Sequence, residues 1–370
     1  MGPFPHDAPP ATISKDNPAG TDGFEFVEFA HPEPEKLESL FEAMGYAPVA
    51  RHRTKAVTVW RQGDINYLVN AEPGSFARRF VEAHGPCAPS MAWRVVDATH
   101  AFRHAVEHGA TPYTGTDKTL DVPAIEGIGG SLIYFVDRYG DKGSPYDTEF
   151  EWLGERDPKP EGVGFHYLDH LTHNVRRGNM DTWFDYYVRL FNFRQIRFFD
   201  IEGKLTGLFS RALTSPCGKI RIPINESQDD KSQIAEYLDE YKGEGIQHIA
   251  LGTDDIYATV DKLAANGVAF QDTPDTYYDQ IDTRVAGHGE EVGELRKRRV
   301  LIDGAPTEDQ GILLQIFTQN VIGPIFFEII QRKGNEGFGE GNFQALFESI
   351  ELDQIRRGVL KAEGATPAAE

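Results

Sequence analysis

The sequence predicts an α+β fold made of four copies of one strand–helix–strands unit, paired into two halves. Three observations carry this. Helical and strand periodicities recur in the same order four times along the chain. Two of the helices share one frame, with an N-capping Asp twelve residues before a terminating Gly: "DATHAFRHAVEHG" from Asp97 to Gly109 and "DIYATVDKLAANG" from Asp255 to Gly267. Short segments of the first half also match segments of the second: "FVEF" (26–29) with "LDHL" (168–171), "SMAWRVVD" (90–97) with "HIALGTDD" (248–255), and "LIYFVDRYG" (132–140) with "FFEIIQRKG" (326–334).

Taken in order, residues 1–20 read as a flexible Pro/Ala-rich tail. The tail has no apolar core of the kind a secretory signal needs, and its Met-Gly start lacks the Ser or Thr of a myristoylation site. "FEFVEF" is the first strand. In "PEPEKLESLFEAMG" the residues Leu37, Leu40, Phe41 and Met44 fall at i, i+3, i+4 and i+7, and Gly45 stops the helix. "SMAWRVV" is the strand before the Asp97 helix. "GERDPKPEGVG" (154–164), rich in Gly, Pro and charge, is the linker. "YLDHLTHNV" (167–175) opens the second half and leads into "NMDTWFDYYVRLFNF", where Met180, Trp183, Phe184, Tyr187, Leu190 and Phe191 form an apolar face. "IQHIALGT" precedes the Asp255 helix. A last helix, "NFQALFESIELDQIRRG", takes Asn342 as N-cap and Phe343, Leu346, Phe347 and Ile350 as its apolar face. The domains are therefore 21–155 and 162–370, with the final helix placed as a gate behind the Gly-rich hinge "KGNEGFGEG".

Composition narrows the function classes. At 370 residues the chain is long enough for two cores. Its 40% hydrophobic and 26% charged residues are those of a globular protein, with no apolar run long enough for a membrane helix. A formal net charge of −21 disfavours nucleic acid as a partner. Two cysteines, Cys87 and Cys217, exclude a disulfide framework and a thiolate metal cluster and fit a cytoplasmic protein, so any metal here is held by His, Asp or Glu.

The stretch "YLDHLTHNV" brings His170 and His173 close to His166. Three imidazoles in eight residues are compatible with a metal site, an acid–base site or ordinary surface. Strand alternation puts His166, His170 and Asn174 on one face and His173 on the other. A zinc-protease reading fails, because it needs a helix. The internal match is more informative. His170 aligns with Glu28, His248 with Ser90 and Glu328 with Tyr134, so only the second half carries two His and a Glu at the three equivalent positions. Two His and one carboxylate on one face of a metal leave three open positions, the donor set of non-haem Fe(II) oxygenases. Glu328 lies in the apolar run "GPIFFEIIQR", where an unpartnered carboxylate is costly; a metal, an arginine or an elevated pKa each answers that cost. Elsewhere, His31, His84, His100, His104, His108 and His173 are read as ordinary surface or hydrogen-bonded histidines.

"DHLTHNV", "GEGIQHIAL", "ILLQIF", "GPIFFEIIQRKGNEGFGEGNFQALFESIE" and "DQIRRGVL" closely resemble the 4-hydroxyphenylpyruvate dioxygenase family, over about residues 21–360 and most strongly over 167–360. The resemblance implies the vicinal-oxygen-chelate (glyoxalase-like) arrangement: βαβββ modules paired into two open β-barrel domains, the second holding iron. It implies Fe(II) on His170, His248 and Glu328, with His173 not a ligand, and a catalytic set of these three with Gln247. Ser210, Asn225, Gln233, Gln247 and Gln315 match the family's polar substrate-side residues. Phe317, Phe326, Phe338, Asn342 and Phe343 match its pocket wall and rim. The implied reaction turns 4-hydroxyphenylpyruvate and O2 into homogentisate and CO2, by decarboxylation, ring hydroxylation and side-chain migration, in tyrosine catabolism. The alternative is hydroxymandelate-synthase-type benzylic hydroxylation of the same substrate. Phe343, Pro223 and Asn225 match the dioxygenase pattern, and Phe343→Ile is expected to divert product toward hydroxymandelate. No membrane partner is implied, and a homo-oligomer, tetramer or dimer, is.

Overall fold

The computed structural model describes residues 8–202, 207–228, 232–342 and 345. The first half runs β1 (Thr21–Ala30), α1 (Pro34–Ala43), β2 (Ala47–His52), β3 (Val57–Gln62), β4 (Ile65–Asn70), α2 (Phe76–His84), β5 (Cys87–Val95), α3 (Ala98–Glu107), β6 (Ala124–Glu126), β7 (Leu132–Val136), α4 (Tyr146–Glu149) and β8 (Phe150–Trp152). The second runs β9 (Phe165–Val175), α5 (Met180–Phe191), β10 (Arg194–Glu202), β11 (Gly207–Thr214), β12 (Arg221–Ser227), α6 (Gln233–Tyr241), β13 (Gly245–Thr253), α7 (Ile256–Ala265), α8 (Asp275–Tyr278), α9 (Ile281–Arg284), α10 (Val292–Arg298), β14 (Leu301–Gly304), β15 (Ile312–Phe317) and β16 (Phe326–Lys333).

Among the described residues the strands form two eight-stranded sheets, ordered β6-β7-β5-β1-β4-β3-β2-β8 and β10-β11-β12-β9-β13-β16-β15-β14. Each module's opening strand lies at the centre and pairs in parallel with the module's last strand, as β1 with β4, β9 with β12 and β13 with β16. The two modules of a half meet where their opening strands pair antiparallel, β1 with β5 and β9 with β13. This is the expected α+β arrangement of βαβββ modules. The second module departs from the pattern. Its last strand, β7, pairs in parallel with β5 like the others, but its outermost strand shrinks to a single bridge between Pro112 and Ile125, and an additional strand, β8, pairs with β2 at the far edge. Pro112 has no N–H to extend a ladder.

Local chemistry frames the helices as the sequence suggests. The Asp97 and Asp255 side chains accept the backbone N–H groups of His100 and Ala258. Gly109 and Gly267, at φ of +94° and +87°, turn the chain out of each helix in a conformation that favours glycine. The segment 275–298, which folds as α8, α9 and α10 before β14, has no counterpart in the other modules.

Of residues 1–20, read as a flexible tail, those from residue 8 onward make contacts with the rest of the chain. Pro9, Asp16 and Pro18 offer backbone carbonyls to Lys219 Nζ, Asn192 Nδ2 and a His100 ring nitrogen, at 3.1, 2.7 and 2.8 Å. Asn17 is buried against Thr21. Docking of this kind uses backbone acceptors, which composition does not reveal. The linker is held in a similar way. Gln62 Oε1 accepts the N–H groups of Val163, Gly164 and Phe165, fixing the entry to β9 against the first half.

One apolar cluster runs through both halves. At its seam Phe29 packs edge-on against Tyr67, with ring centroids 4.9 Å apart, and Phe327 lies 6.0 Å from Tyr67 and 6.3 Å from Phe29. Phe29 is fully buried, so Phe29→Ala is expected to destabilise the protein by about 3–5 kcal/mol, the usual cost of removing a core aromatic. Denaturant unfolding followed by tryptophan fluorescence would measure this.

Candidate metal centre

His170 comes from β9, His248 from β13 and Glu328 from β16. In the register of the sheet, Ala250 faces both His170 and Glu328 across its two pairings. His170 Nε2 lies 3.2 Å from Glu328 Oε2, His248 Nε2 lies 3.4 Å from the same oxygen, and the two Nε2 atoms are 3.4 Å apart. One face of an octahedron with ligand bonds of ~2.1 Å has edges of about 3.0 Å, close to this triangle. All three side chains are buried or nearly so, and Glu328 Oε1 has no hydrogen-bond partner. Two nitrogens and a carboxylate oxygen converging on one point, with a buried oxygen left over, fit a divalent cation. Among the described residues no other group of three His, Cys, Asp or Glu donors is drawn together in this way.

The charges are consistent with that. Burial alone would raise the Glu328 carboxyl, but the His170 and His248 imidazoles outweigh it and push it down to about 2. For His170, burial works against the charged form, and the Glu328 and Asp169 carboxylates overcome it and raise the pKa. His248 is lowered by burial, which outweighs Glu328.

The strand alternation read from the sequence fails here, for a physical reason. On β9, Leu168 faces Leu251 and His170 faces Ala250, so Asp169 is an extra, unpaired residue. The bulge puts Leu168 and His170 on opposite faces of the sheet. A second break leaves His166 unpaired between Phe165 and Tyr167. His166 is therefore not on the face of His170; its half-exposed ring lies beside Asp254 instead. β13 carries a matching bulge at Gln247, between Ile246 and His248. Each bulged residue stands beside its neighbour's imidazole: Asp169 Oδ1 is 2.8 Å from His170 Nδ1, and Gln247 Oε1 is 3.0 Å from His248 Nδ1. Acceptors on Nδ1 hold the hydrogen there and turn Nε2 toward the point where the three donors converge. His173 is fully buried on the opposite face, its Nε2 2.8 Å from Tyr187 Oη.

A narrow cleft opens in front of the triad. Besides the three donors it is lined by Thr172, Phe199, Leu208, Ser210, Pro223, Asn225, Phe317, Phe338 and Glu340. The Phe338 ring meets His170 edge-on at 5.1 Å, and Phe326 stacks on His248 at 5.0 Å. Ser210 and Asn225 face each other across β11 and β12. So Ser210, Asn225, Phe317 and Phe338 line the cleft, Phe326 backs His248, and Gln247 contacts His248. Gln315 is buried beneath Gly339. Gln233 stands apart, exposed as the first residue of α6. Asn342 does not serve as an N-cap: the chain is already helical at Glu340, and Asp303 accepts the Gly341 N–H in that role. Asn342 Oδ1 instead accepts from Tyr277 Oη at 2.6 Å and from Arg284. Phe343 and, apart from Asn342 and Ala345, the helix read as a gate lie outside the described residues. Sequence reasoning missed Thr172, whose Oγ1 is 2.9 Å from His248 Nε2, and Phe199 and Leu208, apolar residues that carry no signal of a site by themselves. A larger polar cleft between the halves carries paired charges, Arg94 with Glu25 and Lys219 with Asp22.

Fold and donor set together define a metal-dependent enzyme of the vicinal-oxygen-chelate class. A model described as "Hydroxyphenylpyruvate dioxygenase, HPPD, N-terminal" matches residues 15–151, and one for the "Glyoxalase/Bleomycin resistance protein/Dioxygenase superfamily" matches residues 167–288. The chain is 61% identical over 356 residues to the 4-hydroxyphenylpyruvate dioxygenase of Pseudomonas aeruginosa, covering 95% of this chain and 99% of that one. It is 62% identical over 351 residues to a Vibrio vulnificus protein named Hemolysin VllY, covering 93% and 98%. Among solved structures, a mutant 4-hydroxymandelate synthase from Streptomyces coelicolor matches with a TM-score of 0.76 at 26% identity, over 90% of this chain and 99% of that one. The chain belongs to the 4-hydroxyphenylpyruvate dioxygenase family.

Glu328→Gln removes the anionic donor. It is expected to weaken divalent-metal binding by at least about 100-fold, since even outer partners of a metal ligand are worth 10–100-fold. Calorimetric titration of the apo protein with Co(II) measures this. His173→Gln is expected to leave metal binding intact and to alter the pH dependence of stability. Burial lowers the His173 pKa to about 3, so the folded state binds fewer protons than the unfolded chain. The stabilisation is complete above the unfolded value of about 6.5 and is lost as pH falls toward 3. Between pH 6.5 and 5 it declines by about 2 kcal/mol. Denaturant midpoints at those two pH values should converge in the variant by that amount.

Proposed function

We propose that this chain converts 4-hydroxyphenylpyruvate and O2 to homogentisate and CO2, with Fe(II) held by His170, His248 and Glu328. The observation that carries the reading is a His, His, Glu triangle on three adjacent strands, opening into a cleft walled by phenylalanine rings. The full-length identity to a relative bearing that enzyme name supports it. Fe(II) bound there supplies open positions for the substrate's α-keto acid and for O2. The rest falls to the protein. Phe317, Phe338 and Phe199 give the substrate ring apolar faces to pack on and keep bulk water out. Ser210 and Asn225 offer a hydroxyl and an amide to polar groups of the substrate. Glu328 and the two imidazoles fix where the keto acid chelates, and hence which ring carbon lies nearest the reactive centre. Acting on such a substrate in tyrosine catabolism, the protein works in the cytoplasm as a homo-oligomer. Both cysteines are free, and no helix among the described residues is long and apolar enough to cross a membrane.

The test is apo protein loaded anaerobically with Fe(II) and 4-hydroxyphenylpyruvate, then exposed to O2, with products separated chromatographically against homogentisate and hydroxymandelate. A homogentisate peak with one equivalent of CO2 is expected. A hydroxymandelate peak would move the chain to the benzylic reaction, and no oxygen uptake would remove both readings.

A further inference from the structure

The side chain that links the most parts of this centre touches none of the three donors directly. Arg332 lies on β16, four residues beyond Glu328 and on the same face of the strand. It is buried, as is Asp169. Arg332 Nε donates to Asp169 Oδ2 at 2.7 Å and Nη2 donates to Asp169 Oδ1 at 2.8 Å, a bidentate pair. Asp169 Oδ1 is the atom beside His170 Nδ1. The remaining Nη1 reaches the other way, donating to the carbonyls of Asn335 and Gly337 at 3.0 and 2.6 Å. Those carbonyls belong to the loop that delivers Phe338 to the cleft. The guanidinium carbon also lies 5.7 Å from the Phe338 ring centroid, and that ring contacts His170.

A buried ion pair is a poor source of stability, because both charges must leave water. Here its geometry places one rigid, planar group between a donor imidazole and the aromatic wall beside it. We propose that Arg332, acting through Asp169, is a positioning residue that orients the His170 imidazole and the Phe338 ring together, so that metal affinity and the shape of the aromatic wall are coupled. This rests on the triad being a metal site. A lysine cannot replace the arginine fully, since it lacks the fork that grips the carboxylate while capping two carbonyls.

The experiment titrates apo protein with Co(II), by calorimetry and by the visible ligand-field spectrum, in wild type, Asp169→Asn, Arg332→Gln, Arg332→Lys and the Asp169→Asn/Arg332→Gln double variant. Wild type is expected to bind one equivalent. Asp169→Asn and Arg332→Gln should each weaken Co(II) by about 10–100-fold, the range for outer partners of a ligand. The double variant should be no weaker than the worse single one, because both changes break one connection. The Co(II) spectrum should shift in Arg332→Gln although that residue does not contact the metal, and Arg332→Lys should be intermediate. Wild-type affinity and spectrum in Arg332→Gln, or losses that multiply in the double variant, overturn the proposal. If Arg332→Gln does not fold, Arg332→Lys decides by the same criterion, wild-type affinity and spectrum counting against. Failure of wild type to bind Co(II) is a different result: it overturns the metal reading of the triad and this inference with it.

Discussion

The site depends on how one antiparallel pair of strands falls out of step. β9 and β13 lie at the centre of the second sheet, and each carries an extra residue next to a histidine. In an unbroken ladder, alternation would put Leu168 and His170 on one face. The bulge at Asp169 separates them, so Leu168 packs toward the core while His170 turns to the cleft. The bulge at Gln247 does the same for Ile246 and His248. A bulge gives up a ladder hydrogen bond and bends its strand. Here the two extra residues also become the acceptors that stand behind the two imidazoles.

The two halves answer the same problem, a carboxyl group buried in a sheet, in different ways. In the first half Glu28 lies opposite Ser90, as Thr172 lies opposite His248 in the second. It accepts from Ser90, Thr119 and, at 2.8 Å, Asn70. Burial outweighs these neutral donors and pushes the Glu28 carboxyl up. In the second half Glu328 meets two imidazoles, and Asp169 meets Arg332, which draws Asp169 well below the usual carboxylate range in spite of its burial. The first half is thus closed by hydrogen bonds among its own side chains, while the second keeps a charged, convergent donor set with one oxygen to spare. This difference makes one half the candidate catalytic unit and the other its support.

Much of this was legible in the sequence, and what was not has identifiable causes. Helices framed by Asp97 and Gly109, or by Asp255 and Gly267, announce themselves because caps are local. The equivalence of Ser90 with His248 follows from the repeat, but that of Glu28 with His170 was two residues out of register: Phe26 faces Ala92 as His170 faces Ala250, and Glu28 faces Ser90 as Thr172 faces His248, a slip that strand alternation cannot reveal. Bulges are different: they are a property of two strands in register, so periodicity along one strand misplaced His166. Arg332 drew no reading from the sequence, because its partner Asp169 is 163 residues away. Asn342 looked like a cap, because the Asp303 carboxylate that takes that role comes from β14. Long-range partners of this kind leave no periodic trace.

The seam between the halves has a further consequence. Phe327 immediately precedes Glu328 on β16, and alternation sends the two side chains to opposite faces, one into the cleft and the other against Phe29 and Tyr67. The second half contains all three donors, yet a fragment beginning at the linker would leave Phe327 facing solvent. It would also release the Gln62 grip on the entry to β9. The half that holds the chemistry is therefore not a portable module. Any attempt to shrink this enzyme to the barrel that carries the triad must first supply a substitute for the aromatic socket that the other barrel provides.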